Sequence, residues 1–199
     1  MILKKKNPSD NKMNRLDQSL IVHTALDLIQ EEGIDKLTMR RLAQKLDVKG
    51  ASLYWHIQDK NELLSLVAEE ICKRIQFPDE QLPWEEQLLE FSKRCRDTYL
   101  QIHNSVHVLV ETPPTTPYRM QLIDKINRLF ELAGFKKEDI FSASWMLNNY
   151  ICSFILDEYR LTKMESDVDV PDLEREFYFG IDVLVNGFRN KLMERDIRE

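Results

Sequence analysis

Residues 38–56, TMRRLAQKLDVKGASLYWH, hold two short apolar stripes separated by the four residues Asp47-Val48-Lys49-Gly50. Thr38 follows Leu37 and suits a helix N-cap, and Leu42, Ala43 and Leu46 then place one apolar face on a short helix. After the interruption a third short helix is expected from Ala51 to His56. Two short helices joined by a tight turn need a platform, and Leu42, Ala43, Leu46, Val48 and Leu53 supply the contacts to it. The chain offers one helix on each side. Leu20, Ala25, Leu28 and Ile29 mark a preceding helix that Gly33 can end. Leu63, Leu64, Val67, Ile71 and Ile75 mark a following one from about Asn61 to Ile75. This is a helix-turn-helix unit.

Beyond it the period stays helical. Pro78 and Pro83 break the chain, then Trp84, Leu88, Phe91, Cys95, Tyr99 and Ile102 keep one face. Three prolines in Glu111–Pro117 make a rigid loop. Met120, Ile123, Ile126, Phe130 and Ala133 precede Gly134, and Ile140, Ala143, Leu147, Ile151 and Phe154 form the next stripe. An acidic loop at 163–171 precedes a last helix with Leu173, Phe177, Ile181, Leu184, Phe188 and Leu192. With 5 glycines in 199 residues the turns of a small-strand β protein are hard to supply. The expected class is all-α. The expected organisation is a flexible basic arm at 1–14, a DNA-binding domain at 15–75 with its motif at 38–57, and a helical ligand-binding and dimerisation domain at 76–199.

The net charge of −6 is unevenly spread: residues 1–60 carry a balance of +3 and the rest −9. Only the first part is suited to meet phosphate. In a helix-turn-helix unit the second helix enters the major groove with its leading residues at the base edges. Lys49, Gly50, Ala51 and Ser52 occupy that turn, small or cationic as close approach requires. Tyr54, Trp55 and His56 follow, able to hold phosphate by OH, NH and imidazole while their rings meet a thymine methyl. Lys4, Lys5, Lys6 and Lys12 in the arm suit a groove or phosphate contact, and equally a frayed terminus.

The segment Leu37 to Leu64, LTMRRLAQKLDVKGASLYWHIQDKNELL, resembles the DNA-binding domain of the TetR family; with its flanking helices the resemblance covers residues 15–75. It implies that Thr38 and Arg40 contact phosphate and base, that Lys49, Gly50, Ala51 and Ser52 read bases, that Tyr54, Trp55 and His56 touch backbone and base methyls, and that Lys60 grips a phosphate. Lys49 and Gly50 stand where a well-known branch of the family has a Glu-Gln pair, so a different operator preference is expected.

The two last long helices, near 139–160 and 172–194, are apolar beyond a single stripe. Ile151, Phe154, Ile155, Phe177, Tyr178, Phe179, Val185 and Phe188 fit either a thick core or, as the family implies, a homodimer interface of two helices from each subunit. A sensing pocket is expected between the helices at 84–103, 117–133 and 139–160. Arg96, Tyr99, His103, His107, Thr112, Trp145, Asn148 and Asn149 are the polar groups inside apolar patterns there. His103 and His107 stand four apart, a metal-ligand spacing on a helix, although Asn104-Ser105 weakens a helix at that point; no metal and no cofactor is expected. Some members of the family bind a drug–magnesium chelate through a histidine just before a Gly-Thr pair. Leu109 stands at that histidine's place, so that chelate is not the expected effector, and the effector's identity stays open.

Cys72, Cys95 and Cys152 have no ligand spacing and suit reduced thiols. No segment has the length of a signal h-region or of a membrane span, and the expected location is the cytoplasm. No nucleophile elbow, phosphate loop or carboxylate–histidine constellation appears, so no enzyme is expected. The function implied is a repressor released from double-stranded palindromic operator DNA by a small-molecule effector. The alternative is a constitutive DNA-binding regulator controlled by a protein partner.

Overall fold

The computed structural model describes residues 16–163 and 171–196, and among them it is all helix, with no strand. The expected arm at 1–14 lies outside those residues, as does most of the acidic loop at 163–171.

Side-chain caps set three starts in the N-terminal half. Helix α1 (Gln18–Glu32) begins where Asp17 accepts the Leu20 N–H at 2.8 Å, and ends at Gly33, whose φ of 91° only glycine adopts without strain. A 3-10 turn (Ile34–Lys36) leads to α2 (Met39–Lys45), which starts where Thr38 accepts the Arg41 N–H at 3.1 Å. Helix α3 (Gly50–Leu53) is a single turn, shorter than the span Ala51–His56 expected for it: residues 54–56 form a turn, closed by the His56 and Ile57 N–H groups on the Leu53 carbonyl. Helix α4 (Lys60–Cys72) starts with Asp59 accepting the Glu62 N–H, while Glu62 reaches back to the Gln58 N–H. Ile21, Leu28, Leu42, Leu53, Ile57, Leu63 and Ile71 are fully buried between these helices. Each such side chain contributes about 1.5–3 kcal/mol by leaving water.

The turn between α2 and α3 has one unusual residue. Asp47 sits at φ 53°, left-handed and not glycine. Asp47→Gly is expected to stabilise the protein by up to about 1 kcal/mol, and Asp47→Val to cost about 1–2 kcal/mol, because a β-branched residue is penalised there. Thermal melts of the two variants check this; equal shifts would mean that the turn is not left-handed.

The C-terminal half contains α5 (Trp84–Gln101), α6 (Ser105–Glu111), α7 (Pro117–Leu132), α8 (Lys137–Thr162) and α9 (Leu173–Asp196). Pro117 opens α7 at its first position, where a missing N–H costs nothing. Helix α6 is an element that apolar periodicity alone leaves unmarked. It exists because Asn104 turns left-handed at φ 61° and separates it from α5. His103 and His107 therefore do not share one continuous helix. The core here is aromatic: Phe130 packs edge-on against Phe135 and Phe188 at 5.1 Å each, and Phe177 is fully buried between Phe154 and Tyr178. Among the described residues no helix is long and apolar enough to cross a membrane.

Candidate nucleic-acid interface

Leu53 and Ile57 are fully buried and fasten α3 to the core, so the rest of that turn faces outward. Lys49, Gly50 and Ala51 are exposed, with Ser52 half-buried behind them. Tyr54 is 55% and Trp55 87% exposed, which removes core packing as their reason. His56 is half-buried, and its carbonyl accepts from the Gln18 amide of α1 at 3.4 Å. A Cβ placed on Gly50 meets nothing within 4 Å, so no contact inside the chain demands a glycine there. A small residue without an internal reason, beside two bare aromatics, suits close approach by something outside the chain.

The cations divide into two sets. Arg41 is held by Glu32, and Lys45 by Glu31, both acids on α1. The bond from Arg41 keeps the Glu32 carboxyl below its ordinary pKa. Arg40, Lys49 and Lys60 have no ion pair among the described residues. Thr38 spends its oxygen on capping α2, which leaves its hydroxyl hydrogen to donate. The unpaired set is the one expected from the sequence to meet DNA: Arg40 on α2, Lys49 at the start of α3 and Lys60 at the start of α4, on either side of the bare aromatics in the chain.

The residues expected to form a sensing pocket do not all meet. Arg96 and Glu158 form a buried two-point ion pair between α5 and α8, at 2.6 and 3.3 Å, with the guanidinium over the Phe177 ring. Tyr99 is buried one turn further on, and burial pushes its phenol well above the ordinary value. His103 and His107 both point their rings at Tyr159 of α8, at 4.6 and 6.1 Å, and Lys163 covers that ring at 4.4 Å. Thr112 is buried and engaged: it donates to the Val108 carbonyl and accepts from Arg119, both at 2.7 Å. Trp145, Asn148 and Asn149 lie elsewhere, on the exposed side of α8, where Trp145 is 60% exposed. Phe141 and Met146 share that side, and Phe179 and Val183 are exposed on α9.

Three polar residues that sequence reasoning passed over organise this half. Glu158 completes the pair with Arg96. Arg119 donates to the Leu109, Thr112 and Pro113 carbonyls and so fixes the end of α6. Glu69 of α4 accepts the Tyr118 and Arg119 N–H groups at the start of α7. Burial pushes the Glu69 carboxyl up, and those bonds, the neighbouring Thr116 hydroxyl and Lys73 more than offset it, leaving it below the ordinary value. The Thr116 oxygen is itself buried without a hydrogen bond of ordinary geometry. The signal for Glu69 was present, since it falls among Leu64, Ala68, Ile71 and Cys72 on the buried side of α4. Cys72, Cys95 and Cys152 are free and buried, and burial pushes the Cys72 thiol up to about 12 and that of Cys152 to about 11. Among the described residues no cluster of three or more His, Cys, Asp or Glu is arranged to hold a metal ion.

Two family models match the chain: "Bacterial regulatory proteins, tetR family" over residues 21–67, and "Tetracyclin repressor-like, C-terminal domain" over residues 77–170. The class E tetracycline repressor of Escherichia coli is 27% identical over 202 residues, which covers 92% of this chain and 95% of that protein. Among solved structures, BioQ of Mycobacterium smegmatis is 30% identical with a TM-score of 0.80, covering 87% of this chain and 98% of that one. BioQ solved with its natural double-stranded DNA operator gives 29% identity and a TM-score of 0.76, covering 87% and 98%. Streptomyces coelicolor ActR in complex with (S)-DNPA is 25% identical with a TM-score of 0.79, covering 88% and 98%.

Proposed function

Because the chain belongs to the tetR family of bacterial regulatory proteins, we propose that it is a dimeric, sequence-specific repressor that a small molecule releases from a palindromic operator. The observation that carries this is the outward face of α2, α3 and the start of α4. There Arg40, Lys49 and Lys60 are unpaired, Tyr54 and Trp55 are bare, and Gly50 has no internal reason to be small. The contact set is Thr38, Arg40, Lys49, Gly50, Ala51, Ser52, Tyr54, Trp55, His56 and Lys60. Cations supply salt-dependent affinity and the leading turn of α3 supplies base reading. BioQ, similar over most of its length, has been solved on operator DNA, which supports this assignment.

The functional division is a reading domain at 15–75 and a sensing and dimerisation domain at 76–199. The subunits join through the exposed apolar sides of α8 and α9, around Phe141, Trp145, Phe179 and Val183. The effector is a small organic molecule held near Arg96, Tyr99, His103, His107 and Thr112, with Trp145, Asn148 and Asn149 contributing from the subunit boundary. ActR's complex with (S)-DNPA supports a small-molecule effector. The protein binds and releases rather than catalyses, and it works in the cytoplasm, where operator DNA is.

Selection from random duplexes, read at two salt concentrations, tests this function. A palindrome with half-sites about one helical turn apart is expected. Tyr54→Ala should weaken binding to it about tenfold or more. Arg40→Ala should reduce the salt slope by roughly one unit. Arg41→Ala should leave the slope unchanged, because Glu32 already neutralises that charge. Binding without sequence preference, or equal slopes for the two arginine variants, would defeat the contact set.

A further inference from the structure

The C-terminal half is tied to the reading half at few polar points, and one of them reaches α1. Among the described residues, the side-chain hydrogen bonds that cross from beyond residue 75 to residues 16–75 are three groups. Tyr118 and Arg119 donate their N–H groups to Glu69, and the Tyr118 hydroxyl donates to the Ile75 carbonyl at 2.9 Å. These hold α4 and its end. The third is Asn104, whose amide donates to the Ile29 carbonyl of α1 at 3.2 Å. That carbonyl also receives the Gly33 N–H that ends α1. The Asn104 amide lies 3.4 Å from His103 Nδ1, and the His103 ring packs on Tyr159 of α8. A continuous path therefore runs from α8 through His103 and Asn104 to the end of α1. Helix α1 carries both parts of the reading unit: Glu31 and Glu32 hold α2, and Gln18 holds the end of the recognition turn through the His56 carbonyl.

We propose that Asn104 is a positioning residue for operator recognition. Its amide sets where α1, and with it the recognition turn, sits relative to the dimerisation half, and thereby the separation at which two half-sites are read. This rests on the operator-binding function proposed above. The residue does two separable things: it adopts a left-handed backbone, and it donates to Ile29. Asn104→Gly keeps the first and removes the second. Asn104→Asp also tolerates the backbone and replaces the donor with an acceptor.

The test is duplex selection with the full-length wild type and the Gly, Asp and Ala variants of Asn104. Half-site spacing and operator affinity are read at one salt concentration, beside melting temperature and dimer content. Wild type is expected to select a single spacing. Asn104→Gly and Asn104→Asp should accept spacings one base pair longer or shorter and bind about fivefold more weakly, the scale of one hydrogen bond, with dimer content and melting temperature nearly unchanged. Wild-type spacing and affinity in Asn104→Gly, with damage confined to Asn104→Ala, would reduce the residue to its backbone conformation and overturn the proposal. A wild-type protein that selects no duplex would overturn the operator function itself, and this proposal with it.

Discussion

Replacing Arg96 with Met is expected to destabilise the protein by about 3–5 kcal/mol, because it leaves the Glu158 carboxylate buried without its partner. The two side chains are each 9% exposed and meet at two points, with Phe177 covering the guanidinium. Glu158→Leu should cost about as much, for the mirror-image reason. The double variant is the informative one. Two apolar groups of similar volume need no desolvated charge, so it should recover most of either loss and can exceed the wild type. Denaturant unfolding at one fixed protein concentration measures the cycle, since association would otherwise shift the midpoint. If the two single losses add in the double variant, the pair is not an ion pair within one core. The pair also bears on the effector. A ligand entering between α5 and α8 meets a guanidinium already satisfied, and must offer it a comparable acceptor or leave it alone.

Gly180→Ala is the second change with a large expected effect. Helices α8 and α9 approach closely at this residue, and an added Cβ would fall on the hydroxyl end of the Tyr150 ring. Tyr150 is not free to yield without loss: its hydroxyl donates to the Phe177 carbonyl at 3.0 Å and faces that of Glu176 at 3.3 Å. The expected cost is about 1–3 kcal/mol, the usual scale of overpacking. Because α8 and α9 also form the proposed subunit boundary, the variant should dissociate at higher protein concentration than the wild type. Sedimentation equilibrium and a thermal melt measure the two effects. Tyr150→Leu in the same chain should relieve the crowding; failure of that relief would place the damage elsewhere in α9.

The fold was legible where one residue decides a boundary. Thr38 caps α2 and Gly33 ends α1, as their places in the sequence predict. Asp17 and Asp59 cap α1 and α4 by the same local geometry without being marked by the sequence reading, and Pro117, expected inside a rigid loop, instead opens α7. The reading unit was legible for a related reason. Its chemistry is written within 20 or so consecutive residues, and burying Leu42 and Leu53 forces the others outward. The C-terminal half was less so. Asn104-Ser105 marks a weak point for a helix, but asparagine tolerates a left-handed backbone without requiring it, so the sequence does not show that a separate helix α6 begins there. Arg96 and Glu158 are 62 residues apart, and no spacing rule joins them. Arg119 looks like an ordinary surface cation on α7 until the end of α6 is folded against it. Trp145, Asn148 and Asn149 share a stripe with buried residues closely enough to pass for pocket lining, whereas the packing of α7 and α9 turns them outward.

The 3 tryptophans of the chain stand at three different places. Trp55 projects from the turn after α3, Trp145 from the exposed side of α8, and Trp84, half-buried at the start of α5, rests edge-on against Phe135 at 6.4 Å. Indole emission depends on how much water surrounds the ring. The molecule thus carries its own chromophores, one on the proposed DNA face, one at the proposed subunit boundary and one half-buried against the aromatic core of the C-terminal half. Single Trp→Phe exchanges would let docking, association and effector entry be followed separately, in real time and without any attached dye.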